Sequence, residues 1–177
     1  MAAAAGARVL VADDHELSRA LYLALLTELD GIADIVDVVD GAAAVAVSEA
    51  TPVDIAILDL NMPRLDGIGA AAQITALQPE AAVALHSSDP DALARRARGL
   101  GLPLFDKADF ERVVSWVAAE AERVRSGLPL AAPSARDRSC ASCGYGIACA
   151  VPPSRCPMCG QRARWKPAVN ARVRAEP

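Results

Sequence analysis

The sequence predicts an α/β fold: a doubly wound, parallel five-stranded sheet of (βα)5 form, followed by a small metal-stabilised ribbon at the C-terminus. Three observations lead there. Apolar runs of strand length alternate with stretches of helical spacing through the first 126 residues. Charge divides the chain, with 10 Lys and Arg against 20 Asp and Glu in residues 1–126 but 8 against 2 in residues 127–177. All five cysteines fall between Cys140 and Cys159. An acidic globular body and a basic, cysteine-rich tail are expected to meet different partners.

The expected strands are residues 9–12, 35–39, 55–58, 82–85 and 102–105. The first helix is expected to turn Leu17, Leu21, Ala24, Leu25 and Leu29 to one face. Further helices are expected over residues 42–50, 68–77, 92–99 and 110–125. Asp40, Asp89 and Asp109 stand near helix starts, where a carboxylate accepts backbone N–H groups. Gly31 and Gly99 follow helical stretches and suit a left-handed cap. Short loops between alternating strands and helices imply a parallel sheet covered on both faces.

Ligands of such sheets collect at the carboxyl ends of the strands. Strand one leads into Asp13-Asp14 and strand three into Asp59, followed by Leu60-Asn-Met-Pro-Arg-Leu-Asp-Gly67. Strand four leads into His86-Ser87-Ser88, and strand five into Asp106-Lys107. Three carboxylates brought together repel by several kcal/mol at an effective dielectric of ~20. A hard divalent cation such as Mg²⁺ relieves this, since it takes carboxylates together with water and phosphate oxygens. Phosphoryl transfer suits the set: a carboxylate attacks phosphorus and a lysine meets the phosphate as a point charge.

Residues Val9-Leu-Val-Ala-Asp-Asp-His-Glu-Leu-Ser-Arg19, Ile57-Leu-Asp-Leu-Asn-Met-Pro-Arg-Leu-Asp-Gly67 and Phe105-Asp-Lys107 closely resemble the receiver domains of two-component response regulators. The resemblance covers roughly residues 7–126 and implies a flavodoxin-like fold. It implies that Asp59 is the phosphoacceptor, loaded from the phosphohistidine of a histidine kinase. Asp13, Asp14 and Asp59 would hold Mg²⁺ with the backbone carbonyl of Asn61. Ser87 corresponds to the hydroxyl that moves toward the phosphoryl group, and Lys107 to the phosphate-binding lysine. Met62-Pro63 and Asp66-Gly67 correspond to the turn that shapes the loop. The family's switch aromatic, three residues before the lysine, is replaced by Leu104. Phe105 should face the other side of the sheet by strand alternation. His86 stands where an apolar residue is usual and reads as a polar strand end, with tuning of the pocket as the alternative; His15 reads as a surface residue at a helix start.

The stretch Ser126-Gly-Leu-Pro-Leu-Ala-Ala-Pro-Ser134 cannot continue a helix and marks a linker over residues 127–138. Beyond it, Cys140-Ala-Ser-Cys143 and Cys156-Pro-Met-Cys159 form a C-x2-C pair of pairs. Four thiolates at this spacing make a closed tetrahedral site typical of structural Zn²⁺, and Gly144 and Gly160 directly follow the two pairs. Cys149 lies outside the spacing and is expected to pack as a small apolar residue. The module, residues 139–167, also resembles zinc ribbons and the rubredoxin-like modules that hold Fe in the same sulfur tetrahedron; zinc is the expectation. A segment this short needs the metal for most of its folding free energy.

Residues 168–177 are expected to be a disordered basic tail. Arg162, Arg164, Lys166, Arg172 and Arg174 offer phosphate contacts for nucleic acid, with Trp165 among them as a stacking face, though Trp165 is expected rather to cap the ribbon's small core. The competing expectation is output through a protein effector, or docking of the basic tail on the acidic domain. A homodimer on phosphorylation is also compatible. The opening residues read as a frayed leader, and no apolar run approaches the roughly 18–20 residues that cross a bilayer. A cytoplasmic signalling protein with no membrane partner, and not an enzyme in the ordinary sense, is therefore expected.

Overall fold

The computed structural model describes residues 6–89, 92, 95–97, 101–128, 137–141, 146–148, 162 and 164–167. Strands β1 (Ala7–Ala12), β2 (Ile32–Val38), β3 (Ile55–Asp59), β4 (Ala82–Ser87) and β5 (Leu104–Asp106) form one sheet in the order β2-β1-β3-β4-β5. Every pairing in it is parallel. Helices α1 (Glu16–Thr27), α2 (Gly41–Ala50), α3 (Gly67–Leu77) and α4 (Phe110–Arg125) cover its two faces. This is the flavodoxin-like arrangement, with four helices among the described residues. The helix expected over residues 92–99 lies largely outside them, as does Gly99.

Alternation along each strand divides the core in two. Leu10, Ala56, Leu58, Val83, Leu85 and Leu104 pack toward α2 and α3. Val9, Val11, Ile55, Ile57, Ala84 and Phe105 pack toward α1 and α4. Central strand β3 is buried at all five positions, so its run of apolar residues shows no polar face. Leu104 and Phe105 lie on opposite sides, as alternation requires.

The helix starts follow their capping residues. Asp40, Asp66 and Asp109 accept the N–H groups of Ala43, Gly69 and Arg112, and Asp89 accepts that of Ala92 at 2.8 Å. Each satisfies one amide left over by the helix start. Gly31 takes φ +85° in the turn between α1 and β2.

The first helix departs from expectation. Tyr22 and Leu26 are its buried residues, whereas Leu17 is 74% and Leu21 40% exposed. The core-facing stripe is thus turned toward Tyr22 and Leu26, while Leu29 of the expected set still packs, partly buried, against the same core. Both stripes have helical spacing, and the structure prefers the one that sends the aromatic ring inward to meet Phe110 and His86. Strand limits also shift: β2 begins three residues earlier than expected, and β4 runs on through His86 and Ser87.

Beyond residue 128, strands β6 (Asp137–Cys140), β7 (Gly146–Ala148) and β8 (Trp165–Pro167) form an antiparallel sheet in the order β7-β6-β8. Strand β6 begins at Asp137, inside the stretch expected to be linker. Cys140 ends β6 opposite Trp165. Cys143, Cys149, Cys156 and Cys159 lie outside the described residues. No helix among the described residues is long and apolar enough to cross a membrane.

The corrected stripe on α1 is testable. Leu26→Ala should cost about 2–4 kcal/mol, the usual loss for a fully buried leucine, and Leu21→Ala under about 1 kcal/mol. Urea unfolding of both variants checks this; equal losses would restore the original stripe.

Candidate functional site

Register brings the chemistry to one edge. Ala12 pairs with Leu58, which sets Asp13 beside Asp59 one step further along. Asp59 pairs with His86, and His86 with Phe105. Asp13 follows the inward-facing Val9 and Val11, and Asp59 follows Ile55 and Ile57, so both carboxylates share the α1/α4 face by alternation. Parallel pairing therefore lays one polar row across the carboxyl ends of the central strands.

Carboxylate oxygens of Asp13, Asp14 and Asp59 all lie within 4.8 Å of one another. Asp13 and Asp59 are buried and Asp14 is exposed. The Lys107 ammonium reaches between them, 2.8 Å from Asp13 Oδ2 and 3.2 Å from Asp59 Oδ2. One cation against three carboxylates leaves an excess of two negative charges. Burial pushes the Asp59 carboxyl up to about 6; Lys107 opposes this, while Asp13 and Asp14 reinforce it. A divalent cation fits this donor set in charge and in ligand type.

The loops hold the remaining candidates. Ser87 is buried at the end of β4, where its Oγ accepts the Asp89 N–H at 3.1 Å and its carbonyl accepts the Lys107 N–H at 2.9 Å. Asn61 is exposed at the start of the loop after β3, and its side chain accepts from Arg96 at 2.8 Å. Arg96 also pairs with Asp66 at 2.5 Å, so one guanidinium ties both ends of that loop. The loop folds back through Gly67 N–H to the Leu60 carbonyl at 3.1 Å. A side chain at Gly67 would collide with the carbonyl of Asp59, so this position must be glycine. Arg64, at φ 63°, pairs with buried Asp40 at the start of α2.

Sequence reasoning read His86 chiefly as a polar strand end and did not place it in the core. His86 is not a polar strand end but fully buried on the α1/α4 side. Its Nδ1 lies 3.0 Å from the Tyr22 hydroxyl, and its Nε2 lies 3.7 Å from Asp13 Oδ2. Burial, with Lys107 adding to it, pushes the imidazole down to about 3, so it is neutral near pH 7. Burial and the Asp13 and Asp59 carboxylates raise the Tyr22 phenol, so its proton stays on. The available signal was a polar residue at an inward-facing strand position. His15 precedes α1 and is exposed, as expected.

The raised Asp59 carboxyl has a consequence for metal-free protein. Between the ordinary value of 3.8 and about 6, the folded state holds a proton that the unfolded chain has lost. Stability should therefore fall as pH rises through this window, by about 1–3 kcal/mol. Asp59→Asn should remove that step and raise the urea midpoint at pH 7.5 in EDTA. An unchanged pH dependence in the variant would contradict the assignment.

Comparison with known proteins agrees with this geometry. The response regulator receiver domain profile matches residues 9–105. The chain is similar to a protein-glutamate methylesterase/protein-glutamine glutaminase of Anaeromyxobacter dehalogenans, 37% identical over 53% of this chain and 28% of the relative. It is also similar to the transcriptional regulatory protein PdtaR of Mycobacterium tuberculosis, 36% identical over 56% of this chain and 48% of the relative. In both, the match spans less than half the relative's length. Among solved structures, a two-component transcriptional regulator from Clostridium phytofermentans superposes with a TM-score of 0.55 at 27% identity, covering 69% of this chain and 97% of that one. With its parallel sheet, its acidic edge and more than half its length matched, the chain belongs to the response regulator receiver domain family.

Proposed function

We propose that this protein is a phosphorelay response regulator that accepts a phosphoryl group on Asp59 from a histidine kinase. The observation that carries the proposal is the convergence of Asp13, Asp14 and Asp59 with the Lys107 ammonium at one strand edge. An Asp59 carboxylate oxygen attacks phosphorus, and the phosphorus–nitrogen bond of the donor breaks. Its electron pair leaves with the imidazole, which then takes up a proton. Mg²⁺, when bound by Asp13, Asp14, Asp59 and the Asn61 carbonyl, supplies neutralising charge for the phosphoryl oxygens. Lys107 already bridges two of those carboxylates and can turn its ammonium to a phosphoryl oxygen. The Ser87 hydroxyl, which uses its oxygen to accept the Asp89 N–H, keeps its proton for the same group. The protein is read as a signalling protein whose receiver catalyses its own phosphorylation and dephosphorylation, acting in the cytoplasm.

Output is assigned to the C-terminal module. The Cys140, Cys143, Cys156 and Cys159 spacing supports a tetrahedral Zn²⁺ site, with Fe as the rubredoxin-like alternative. A three-stranded antiparallel sheet that carries Cys140 at a strand end is compatible with a ribbon round such a site. A protein effector is the preferred partner. The alternative is nucleic acid, supported by Arg162, Arg164, Lys166, Arg172 and Arg174 beside Trp165; a redox-sensing role would follow from iron.

Native mass spectrometry with and without acetyl phosphate and Mg²⁺ tests both ends. Wild type should gain one phosphoryl group and Asp59→Asn none; equal labelling would refute the phosphoacceptor. The untreated protein should carry one zinc and be colourless, whereas visible thiolate-to-iron bands would favour iron. Steep salt dependence of binding to duplex or single-stranded DNA would favour the nucleic-acid alternative.

A further inference from the structure

We infer that His86 is a positioning residue for Asp13, its Nε2–H taking over Asp13 Oδ2 when the Lys107 ammonium turns to a phosphoryl group on Asp59. This rests on the reading of Asp59 as phosphoacceptor and adds a residue to that site. The starting point is a pair of buried polar atoms that face each other. His86 Nε2 is buried without a well-directed hydrogen bond and stands 3.7 Å from Asp13 Oδ2, a buried oxygen whose partner is the Lys107 ammonium. A buried polar atom left in that state is costly and calls for a physical account. Here the account is a contact one small side-chain movement from closing.

The rest of the surroundings fixes which nitrogen carries the proton. The Tyr22 hydroxyl lies 3.0 Å from Nδ1 and its phenol keeps its proton. Donated to Nδ1, that proton leaves the neutral ring with its hydrogen on Nε2. The group that faces Nε2 is an acceptor, the Asp13 carboxylate, so a donor is what the site can use there. The opposite tautomer would point a lone pair at a carboxylate. Phe110 and the edge-on packing of Tyr22 against the imidazole hold the pair from the far side.

Lys107 supplies the reason for the exchange. Its ammonium now serves Asp13 Oδ2 at 2.8 Å and Asp59 Oδ2 at 3.2 Å. A phosphoryl group on Asp59 adds negative oxygens within that reach and draws the ammonium away from Asp13. The oxygen it leaves is fully buried, and the imidazole N–H is the group placed to meet it. Asp13 Oδ1 is meanwhile held by the His15 N–H at 2.9 Å. The carboxylate thus keeps one orientation through the change, as a cation-holding group requires.

The full chain, uniformly ¹⁵N-labelled, in Mg²⁺ alone and in Mg²⁺ with beryllofluoride as the phosphoryl mimic, tests this. His86 should show the Nε2–H tautomer in both states, and its Nε2 proton should move downfield when beryllofluoride binds. Calorimetric titration with Mg²⁺ in the presence of beryllofluoride should show His86→Leu weakened about tenfold. His86→Gln, whose amide can donate from the same place, should recover most of that loss. Tyr22→Phe should shift His86 toward the other tautomer. An Nδ1–H tautomer in wild type would overturn the proposal, as would an unmoved Nε2 proton or equal Mg²⁺ affinity in the Leu and Gln variants. If the Leu60 amide responds to beryllofluoride while His86 does not, this proposal alone falls. If neither responds and acetyl phosphate leaves Asp59 unlabelled, the phosphoacceptor reading falls with it.

Discussion

Two carboxylates with almost no access to solvent, Asp13 and Asp59, share the ammonium of Lys107, and the carboxyl edge of the sheet is organised round that contact. Removing an ion from water costs several kcal/mol even after local relaxation. The fold accepts that cost at the one place where β1, β3 and the segment after β5 end side by side. Remove the ammonium, and two like charges would stand buried at neighbouring register positions. The raised Asp59 carboxyl shows that Lys107 compensates only in part. A site with residual negative charge and oxygen donors is suited to a divalent cation and then to a phosphoryl group.

The loops around the cluster are fixed by contacts whose residues are distant in sequence. Gly67 lets the chain after β3 pass close against the Asp59 backbone. Arg96 holds Asn61 and Asp66 together, and Arg64 closes on Asp40 where α2 begins. Each restrains the backbone on which Asp59 and the Asn61 carbonyl sit. The exposed Arg96–Asp66 pair adds little to global stability. The effect of these contacts is geometric, since they limit the positions the loop can take.

The arrangement also bears on how a change at Asp59 would travel. Leu104 is buried toward α2 and α3 with Leu85 and Ala97. It offers no ring to rotate beside Ser87. The aromatic groups lie on the other face, where Phe105 packs on Trp116 while Tyr22 joins His86 and Phe110. The polar link to the carboxylate cluster runs into that face through His86. Helices α1 and α4 therefore contact, through Tyr22 and Phe110, groups that adjoin the site.

Much of this was legible in the sequence, because periodicity and local chemistry act over a few residues. The alternation of apolar runs and helical stretches determined a parallel sheet. Asp13, Asp14, Asp59 and Lys107 were readable because each follows a strand and all parallel strands end on the same edge. Asp40 and Asp109 were readable as caps, since an Asx side chain reaches only the next turn. The inward stripe of α1 was not, because two adjoining stripes have similar apolar content. Only contact with Phe110 and His86 selects Tyr22. Nor was the burial of His86, whose partners lie 64 residues away at Tyr22 and across the sheet at Asp13. A polar side chain enters a core when partners from other elements satisfy it, and tertiary packing alone brings those partners together.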